Sequence, residues 1–159
     1  MNSPSSASHT TSRTAGRITS LALLALFATL LAACAATRSQ VAPDAGMSGI
    51  WIPAKAEIGG KDFRFVPDFR LEVKGDRFKT YGGTKSDAGR LEFFDGDPRG
   101  VDVIGEDDKT KGQRLPAIYR FNGGNEMEIT YDLSGKERPS EFASKPDTKL
   151  FRITYKRGG

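Results

Sequence analysis

The sequence predicts an all-β domain built as a small antiparallel up-and-down barrel of about eight strands. Three observations lead to this prediction: apolar residues alternate with polar ones in many short runs, Gly-rich turns separate the runs, and no segment carries a helical period. Closure into a barrel removes the exposed edges that an open sheet would present. A two-sheet β-sandwich is the alternative, and the sequence alone does not separate the two.

The first predicted strand begins at Gly49-Ile50-Trp51, and the later ones follow the period-two rule that places alternate side chains on one face. The residues expected to share the inward face are Phe69, Leu71 and Val73, Phe78 and Thr80, Leu91 and Phe93, Val101 and Val103, Ala117, Tyr119 and Phe121, Met127, Ile129 and Tyr131, and Phe151, Ile153 and Tyr155. Residues 122–125 (N-G-G-N) predict a hairpin, because Asn and Gly tolerate positive φ. Since the inward side chains are large, we expect a filled core rather than a wide cavity.

Residues 1–33 have the pattern of a secretory signal peptide. Arg13 and Arg17 precede an apolar run from Ile18 to Leu31, and small residues follow the run. Leu31-Ala32-Ala33-Cys34 resembles the lipobox of bacterial lipoproteins, which implies cleavage before Cys34 and acylation of that residue, for example with palmitate. Because Ala35 and not Asp follows the Cys, the resemblance implies the periplasmic face of the outer membrane in a Gram-negative host.

Two other interpretations of the N-terminal segment stay open. A permanent membrane anchor is disfavoured, since the apolar run is shorter than the roughly 20 residues that a spanning helix needs. Cleavage near Ala35 or Ala36 by the general signal peptidase would leave no lipid. Residues 34–46 are small, polar and interrupted by Pro and Gly, so they predict a flexible tether in front of one domain over 47–159.

Composition limits the chemistry of the predicted domain. The chain has one His and one Cys; His9 falls in the predicted signal peptide, and Cys34 would carry the lipid. The domain would then lack an imidazole and a free thiol, so we expect no enzyme, no metal and no cofactor. Loss of Arg13 and Arg17 lowers the formal net charge from +4 to +2, and we expect no nucleic-acid partner.

Several short motifs recur in order along the domain. They are Gly49-Ile50-Trp51, Gly60-Lys61, Gly75-Asp76-Arg77-Phe78, the step from Pro98 to Asp102, Ile118-Tyr119, Arg138-Pro139-Ser140-Glu141-Phe142 and Tyr155-Lys156-Arg157. Together they resemble a family of small lipocalin-like bacterial domains of unknown function, often found behind export signals. The resemblance spans nearly all of 47–157 and implies a barrel-like fold, but no reaction. Residues 62–68 depart from it, because they are more aromatic and less polar than their counterparts.

The resemblance also implies a role for Trp51. In lipocalins the G-x-W tryptophan closes one end of the barrel, and an arginine of the last strand lies across it. Arg152 or Arg157 would take that part here, as a cation–π contact. The alternative role of Trp51 is a ring on which a ligand stacks.

Arg138 and Glu141 are the other candidate site residues. In a loop held by Pro139, they would bind an anionic group or pair with each other. The favoured interpretation is a structural lock, in which Pro139 sets the backbone and Phe142 inserts into the core.

Three functions are compatible with these observations. The first is a membrane-tethered barrel that binds a small apolar or amphipathic molecule, and the second, ranked nearly level, is a filled barrel that contacts an envelope protein. A hydrolase using carboxylates ranks well behind both. The acidic residues between Asp95 and Asp108 miss the spacing of a calcium loop and are interpreted as solvated turns.

Overall fold

The structure, a computed structural model, describes residues 38–159. They form an antiparallel ten-stranded sheet, eight strands of which close into an up-and-down barrel. The strands are β1 Gln40–Val41, β2 Gly49–Ile58, β3 Lys61–Asp62, β4 Arg70–Lys74, β5 Arg77–Gly82, β6 Lys85–Phe94, β7 Arg99–Gly105, β8 Arg114–Phe121, β9 Glu126–Asp132 and β10 Leu150–Arg157. The predicted fold class is confirmed, as a barrel and not a sandwich.

Each of the eight barrel strands pairs with the next barrel strand along the chain, and β2, the first of the eight, closes the ring by pairing with the last, β10. From β4 to β10 every consecutive pair is antiparallel, and β2 pairs with β4 on one edge and with β10 on the other. Trp51 lies opposite Leu71 on β4 and opposite Arg157 on β10. The two-residue strands β1 and β3 are additions, paired with β6 and β2.

The interior contains the residues that the alternation assigned to it. Buried members include Phe78, Phe93 and Tyr155, while Phe69, Phe121, Tyr131 and Phe151 pack against them with part of their surface free. Burial of such large side chains is the main stabilising term for a domain of this size.

One outer face of the barrel is also buried. Ile118, Glu128 and Thr130 point away from the core, yet 2% or less of each is exposed. The connection between β9 and β10, residues 133–149 (the outer segment), lies over this face and places Arg138 against the ring of Phe94. The segment therefore acts as a second layer on part of the barrel wall.

The predicted tether is ordered where the structure describes it. β1 pairs with the end of β6, and Asp44 caps a 3₁₀ turn over Ala45–Met47. The Asp44 carboxylate accepts hydrogen bonds from Arg99 (2.7 Å) and from the Tyr119 hydroxyl (3.0 Å). These contacts attach residues 40–46 to the barrel, which differs from the expected flexible tether over 34–46.

The predictions for residues 1–33 and for Cys34 lie outside the described residues. Within 38–159, no helix is long and apolar enough to cross a membrane.

Candidate functional site

Trp51 lies at one end of the barrel and is completely buried. Its indole N–H donates a hydrogen bond to the carbonyl oxygen of Met47 (2.8 Å), and its ring stacks near Phe121 with centroids 6.1 Å apart. Met47, in the 3₁₀ turn, is itself 2% exposed. This end of the barrel, called the closed end below, is filled by side chains.

Arg157 covers the closed end, and Arg152 does not. The Arg157 guanidinium carbon lies 4.3 Å from the centre of the Trp51 ring. Its Nη1 and Nη2 atoms donate to the carbonyl oxygens of Ser48 and Gly46, each at 2.9 Å, and Nε donates to that of Gly124 at 3.2 Å. One side chain thus joins the last strand to the 3₁₀ turn and to the β8–β9 hairpin.

Arg152 belongs to an ion-pair cluster on the outer wall. Its Nε atom donates to Glu128 Oε1 at 2.5 Å, and the second oxygen of Glu128 accepts from Arg120 Nε at 2.7 Å. Glu128 is 2% exposed, so both of its oxygens need these partners. The cluster satisfies a buried carboxylate and gives Arg152 no contact with the barrel interior.

Arg138 locks the outer segment onto β7 and β8. It donates to the backbone oxygens of Val101 (3.0 Å) and Ala117 (2.7 Å) and to the buried carboxylate of Asp102 (2.6 Å). A Cβ atom at Gly100 would lie 3.0 Å from Arg138 Nη1, so the strand approaches the guanidinium closely there. These contacts leave Arg138 engaged with protein groups rather than presented to a ligand.

Glu141 and Phe142 lie apart from Arg138 and from the core. Glu141 is exposed and pairs with Lys145, so the two predicted partners, Arg138 and Glu141, do not meet. Phe142 does not enter the core, which corrects the prediction: its ring lies on the outer wall under Arg120, 4.3 Å from the guanidinium carbon. The inward side chains of the strands already fill the core, so Phe142 packs on the outer wall instead.

A cavity of about 180 Å³ occupies the opposite end of the barrel and is called the mouth cavity here. Its walls are Phe65, Phe69, Phe78, Thr80, Asp87, Val103, Gly105, Thr110, Gln113, Leu115, Tyr131, Leu133, Phe151, Ile153 and Tyr155. Most of these side chains are apolar or aromatic, and none is a Lys or Arg. A smaller void of about 60 Å³ lies deeper, between the mouth cavity and the closed end.

The mouth cavity adjoins an open groove of about 790 Å³ on the rim of the barrel, the outer groove. The two share Phe69, Thr80, Asp87 and Thr110 as walls. The groove continues between the β5–β6 hairpin and the β7–β8 loop, where residues 106–108 add three acidic side chains and Lys85 and Lys109 add two basic ones. A path therefore leads from solvent to the aromatic interior.

An aromatic segment crosses the mouth. Residues 63–69 (the mouth segment) connect β3 to β4, and Phe65 packs on Phe69 with ring centroids 4.3 Å apart. Phe63 and Phe65 both contact Phe151 on β10, at 5.1 and 6.0 Å. Phe63 is nevertheless 40% exposed, and Val66, which lines the outer groove, is 54% exposed. The mouth segment therefore shapes the rim of the cavity.

Few polar groups face the mouth cavity, and two pairs stand out. The Thr110 hydroxyl donates to Asp87 Oδ1 at 2.7 Å, at the boundary with the outer groove. Deeper inside, Tyr131 and Tyr155 both line the mouth cavity and the void beneath it, and their phenols are close enough to interact. Burial raises the pKa of both phenols well above the ordinary range, so both stay protonated.

The sequence interpretation missed the mouth residues because they come from distant segments. Phe65, Asp87, Thr110 and Gln113 lie on four different stretches of the chain and meet only when the barrel closes. The aromatic side chains of Phe63 and Phe65 between two predicted strands were the one available signal. Across residues 38–159, no cluster of three or more His, Cys, Asp or Glu side chains is arranged to hold a metal ion.

Comparison with known proteins gives no relative: no protein-family model, no curated protein and no solved structure matches this chain. The geometry of the barrel is therefore what bears on its function.

Proposed function

We propose that this protein binds a small apolar or amphipathic molecule in the mouth cavity of its barrel. The observation that carries the proposal is an aromatic cavity at one end of the barrel that opens to solvent through the outer groove. A dry cavity of about 150 Å³ lined by apolar side chains is large enough to bind benzene. The mouth cavity, at about 180 Å³, is of that size and would take one ring or a short branched chain, with the rest of a longer ligand in the groove.

The closed end supports the same proposal by contrast. Trp51 is fully buried and covered by Arg157, so it has no free face on which a ligand could stack. Arg138 and Arg152 are similarly occupied by Asp102 and by Glu128. Apolar ligands bind in cavities whose apolar side chains are not already packed against other protein groups. Among the described residues, the side chains that line the mouth cavity meet this condition.

The proposed place of this binding is the cell envelope. An acyl group on Cys34 would hold the barrel at a membrane, at the periplasmic face of the outer membrane, where apolar and amphipathic molecules are abundant. A single chain with one acyl group binds membranes reversibly, whereas two or more anchor it stably. Labelling cells with an alkyne analogue of palmitate tests the anchor: the wild-type chain should be labelled and Cys34→Ser should not. Equal labelling of both would overturn it.

Non-denaturing mass spectrometry of the full chain carrying Cys34→Ser tests the binding function. The substitution removes the covalent lipid, so any additional mass reports a molecule held by the fold. We expect a reproducible extra mass that leaves on denaturation. A clean protein mass, together with no binding of neutral one-ring compounds, would contradict the proposal and favour a filled barrel that contacts an envelope protein through its surface.

A further inference from the structure

Two tyrosines lie at the floor of the mouth cavity. Tyr131 and Tyr155 line both the mouth cavity and the smaller void beneath it, and Tyr155 is 2% exposed. Two hydroxyls bring two donor protons, and a contact between them can use at most one of these. Among the described residues, no further group is a hydrogen-bond partner of either hydroxyl. One O–H is therefore left for a molecule inside the cavity.

The charge of the walls points to a neutral ligand. The mouth cavity has no Lys or Arg side chain, and its one ionisable carboxyl group, Asp87, stands where the cavity meets the outer groove. Lys85 and Lys109 line the outer groove alone, so an anionic group that moves from the groove into the cavity would pass this carboxylate, lose its hydration and meet no cation inside. A neutral oxygen acceptor pays a far smaller desolvation cost and gains the free tyrosine donor.

We propose, on the basis of the function proposed above, that the ligand of this barrel is an uncharged molecule with an apolar ring or short chain and an oxygen acceptor, which the Tyr131–Tyr155 pair binds by a hydrogen bond. Ketones, esters, ethers and amides belong to this class, and free carboxylates do not. The apolar part lies among Phe65, Phe69 and Phe151 in the mouth, and the acceptor oxygen lies at the floor.

Three one-ring probes of matched shape test the inference. Acetophenone carries a neutral acceptor oxygen, α-methylstyrene replaces that oxygen with a methylene group, and benzoate carries a negative charge at pH 7. Each is titrated into the full chain carrying Cys34→Ser, and binding is followed by ¹H–¹⁵N chemical shifts. We expect acetophenone to bind about three- to tenfold more tightly than α-methylstyrene, and benzoate to bind most weakly.

The double variant Tyr131→Phe/Tyr155→Phe removes both donors and keeps the rings. Either single variant leaves one hydroxyl free, so the double change is the decisive one. We expect it to bind α-methylstyrene as the parent does and to lose the preference for acetophenone. Tyr81→Phe is the matched control, because the Tyr81 hydroxyl lies 3.3 Å from Glu72, outside the cavity, and should leave all three affinities unchanged.

The possible results separate this inference from the function on which it rests. If α-methylstyrene and acetophenone bind equally, or if benzoate binds as tightly as acetophenone, the inference about ligand chemistry is overturned while the binding function stands. If the double variant keeps its preference for acetophenone, the donor is not the tyrosine pair and the inference is overturned. If none of the three probes binds, the proposed function itself fails, and the inference fails with it.

Discussion

Arg157 on the last strand stacks on Trp51 of the first strand while it donates hydrogen bonds to three backbone carbonyl groups. The contact spans the seam where the barrel closes, since the two residues lie opposite each other in the ladder. It also explains the glycine of G-x-W. Gly49 has φ of 141°, and a Cβ atom there would lie 2.5 Å from Arg157 Nη1. The motif at the start of the domain and the arginine at its end thus form one structural unit.

The first prediction concerns the stability of this seam. We expect Arg157→Ala to lower the free energy of unfolding by about 2 kcal/mol, because it removes a cation–π contact worth about 0.5–2 kcal/mol and three hydrogen bonds. Urea unfolding followed by Trp51 fluorescence measures the change. Lys156→Ala, at an exposed neighbouring position, is the control and should cost less than about 0.5 kcal/mol. Equal costs for the two variants would mean that Arg157 does not fasten the barrel.

The second prediction concerns the close approach of Gly49 to Arg157. Gly49→Ala should destabilise the parent chain by about 1–3 kcal/mol, since it places a Cβ atom in an unfavourable backbone region and against the guanidinium. In the Arg157→Ala background only the backbone term remains, so the cost should fall by at least about 0.5 kcal/mol. A double-mutant cycle by urea unfolding measures the difference. Strictly additive costs would show that the collision contributes nothing.

The barrel could be predicted from local pattern, whereas its second layer could not. Period-two alternation assigned Phe93, Ile129 and Tyr155 to the interior, because each strand records its own inward face. Because Ala117, Tyr119 and Phe121 face inward, alternation puts Ile118 and Arg120 on the outside, which is correct in direction, but it gives no sign that Ile118 is fully buried. That burial comes from the outer segment, 133–149, which folds back across several strands.

The candidate site was harder to predict for the same reason. The motifs drew attention to Trp51, Arg138 and Arg157, and in the structure these residues hold protein groups together. The mouth is assembled from segments distant in sequence, such as those of Phe65 and Asp87, with no motif to join them. The sequence motifs therefore identified residues that stabilise the barrel, and they did not identify the residues that line its open end.

The third prediction compares how much Arg138 and Glu141, the two candidate site residues in the outer segment, contribute to stability. Arg138→Ala should cost about 2 kcal/mol, because the buried carboxylate of Asp102 loses one of its two arginine partners and keeps only Arg114, and two backbone oxygens lose a donor. Glu141→Ala should cost less than about 0.5 kcal/mol, since its one ion pair, with Lys145, is exposed. Thermal and urea unfolding of both variants provide the comparison. A costly Glu141 variant beside a neutral Arg138 variant would reverse the assignment.

The fourth prediction concerns pH and the start of the outer segment. Burial raises the pKa of Asp132, but hydrogen bonds from the backbone of Glu137, from Ser134 and from the backbone of Lys136 outweigh it and lower the pKa to about 2. The ionised carboxylate therefore adds about 2 kcal/mol of stability above pH 4, which is lost as the pH falls from about 4 to 2. Asp132→Asn should be destabilised by about that amount at pH 7.

Urea unfolding of the parent and of Asp132→Asn at pH 7, 4 and 2.5 measures this dependence. The gap between the two proteins should change little between pH 7 and 4 and narrow between pH 4 and 2.5, because the carboxylate of the unfolded chain is protonated near pH 4 and that of the native chain only near pH 2. Asp108→Asn, on an exposed loop, is the control and should follow the parent at every pH. A gap that stays constant down to pH 2.5 would show that the charge of Asp132 is not what stabilises the turn.

The last prediction concerns selection at the mouth and rests on the proposed binding function. Asp87 borders both the mouth cavity and the outer groove, and its Oδ1 accepts a hydrogen bond from Thr110 that an asparagine oxygen can also accept. Asp87→Asn therefore keeps the local structure and removes the negative charge. Unit charges about 4 Å apart near a protein surface interact by about 1–4 kcal/mol, so benzoate should bind at least about fivefold more tightly to the variant. Acetophenone, which has no charge, should bind both proteins equally.

Asp107→Asn is the matched control, since Asp107 lines the outer groove alone and should alter benzoate binding less. If Asp87→Asn leaves benzoate as weak as before while acetophenone still binds, then desolvation in the aromatic cavity, and not the carboxylate at its mouth, is what rejects anions.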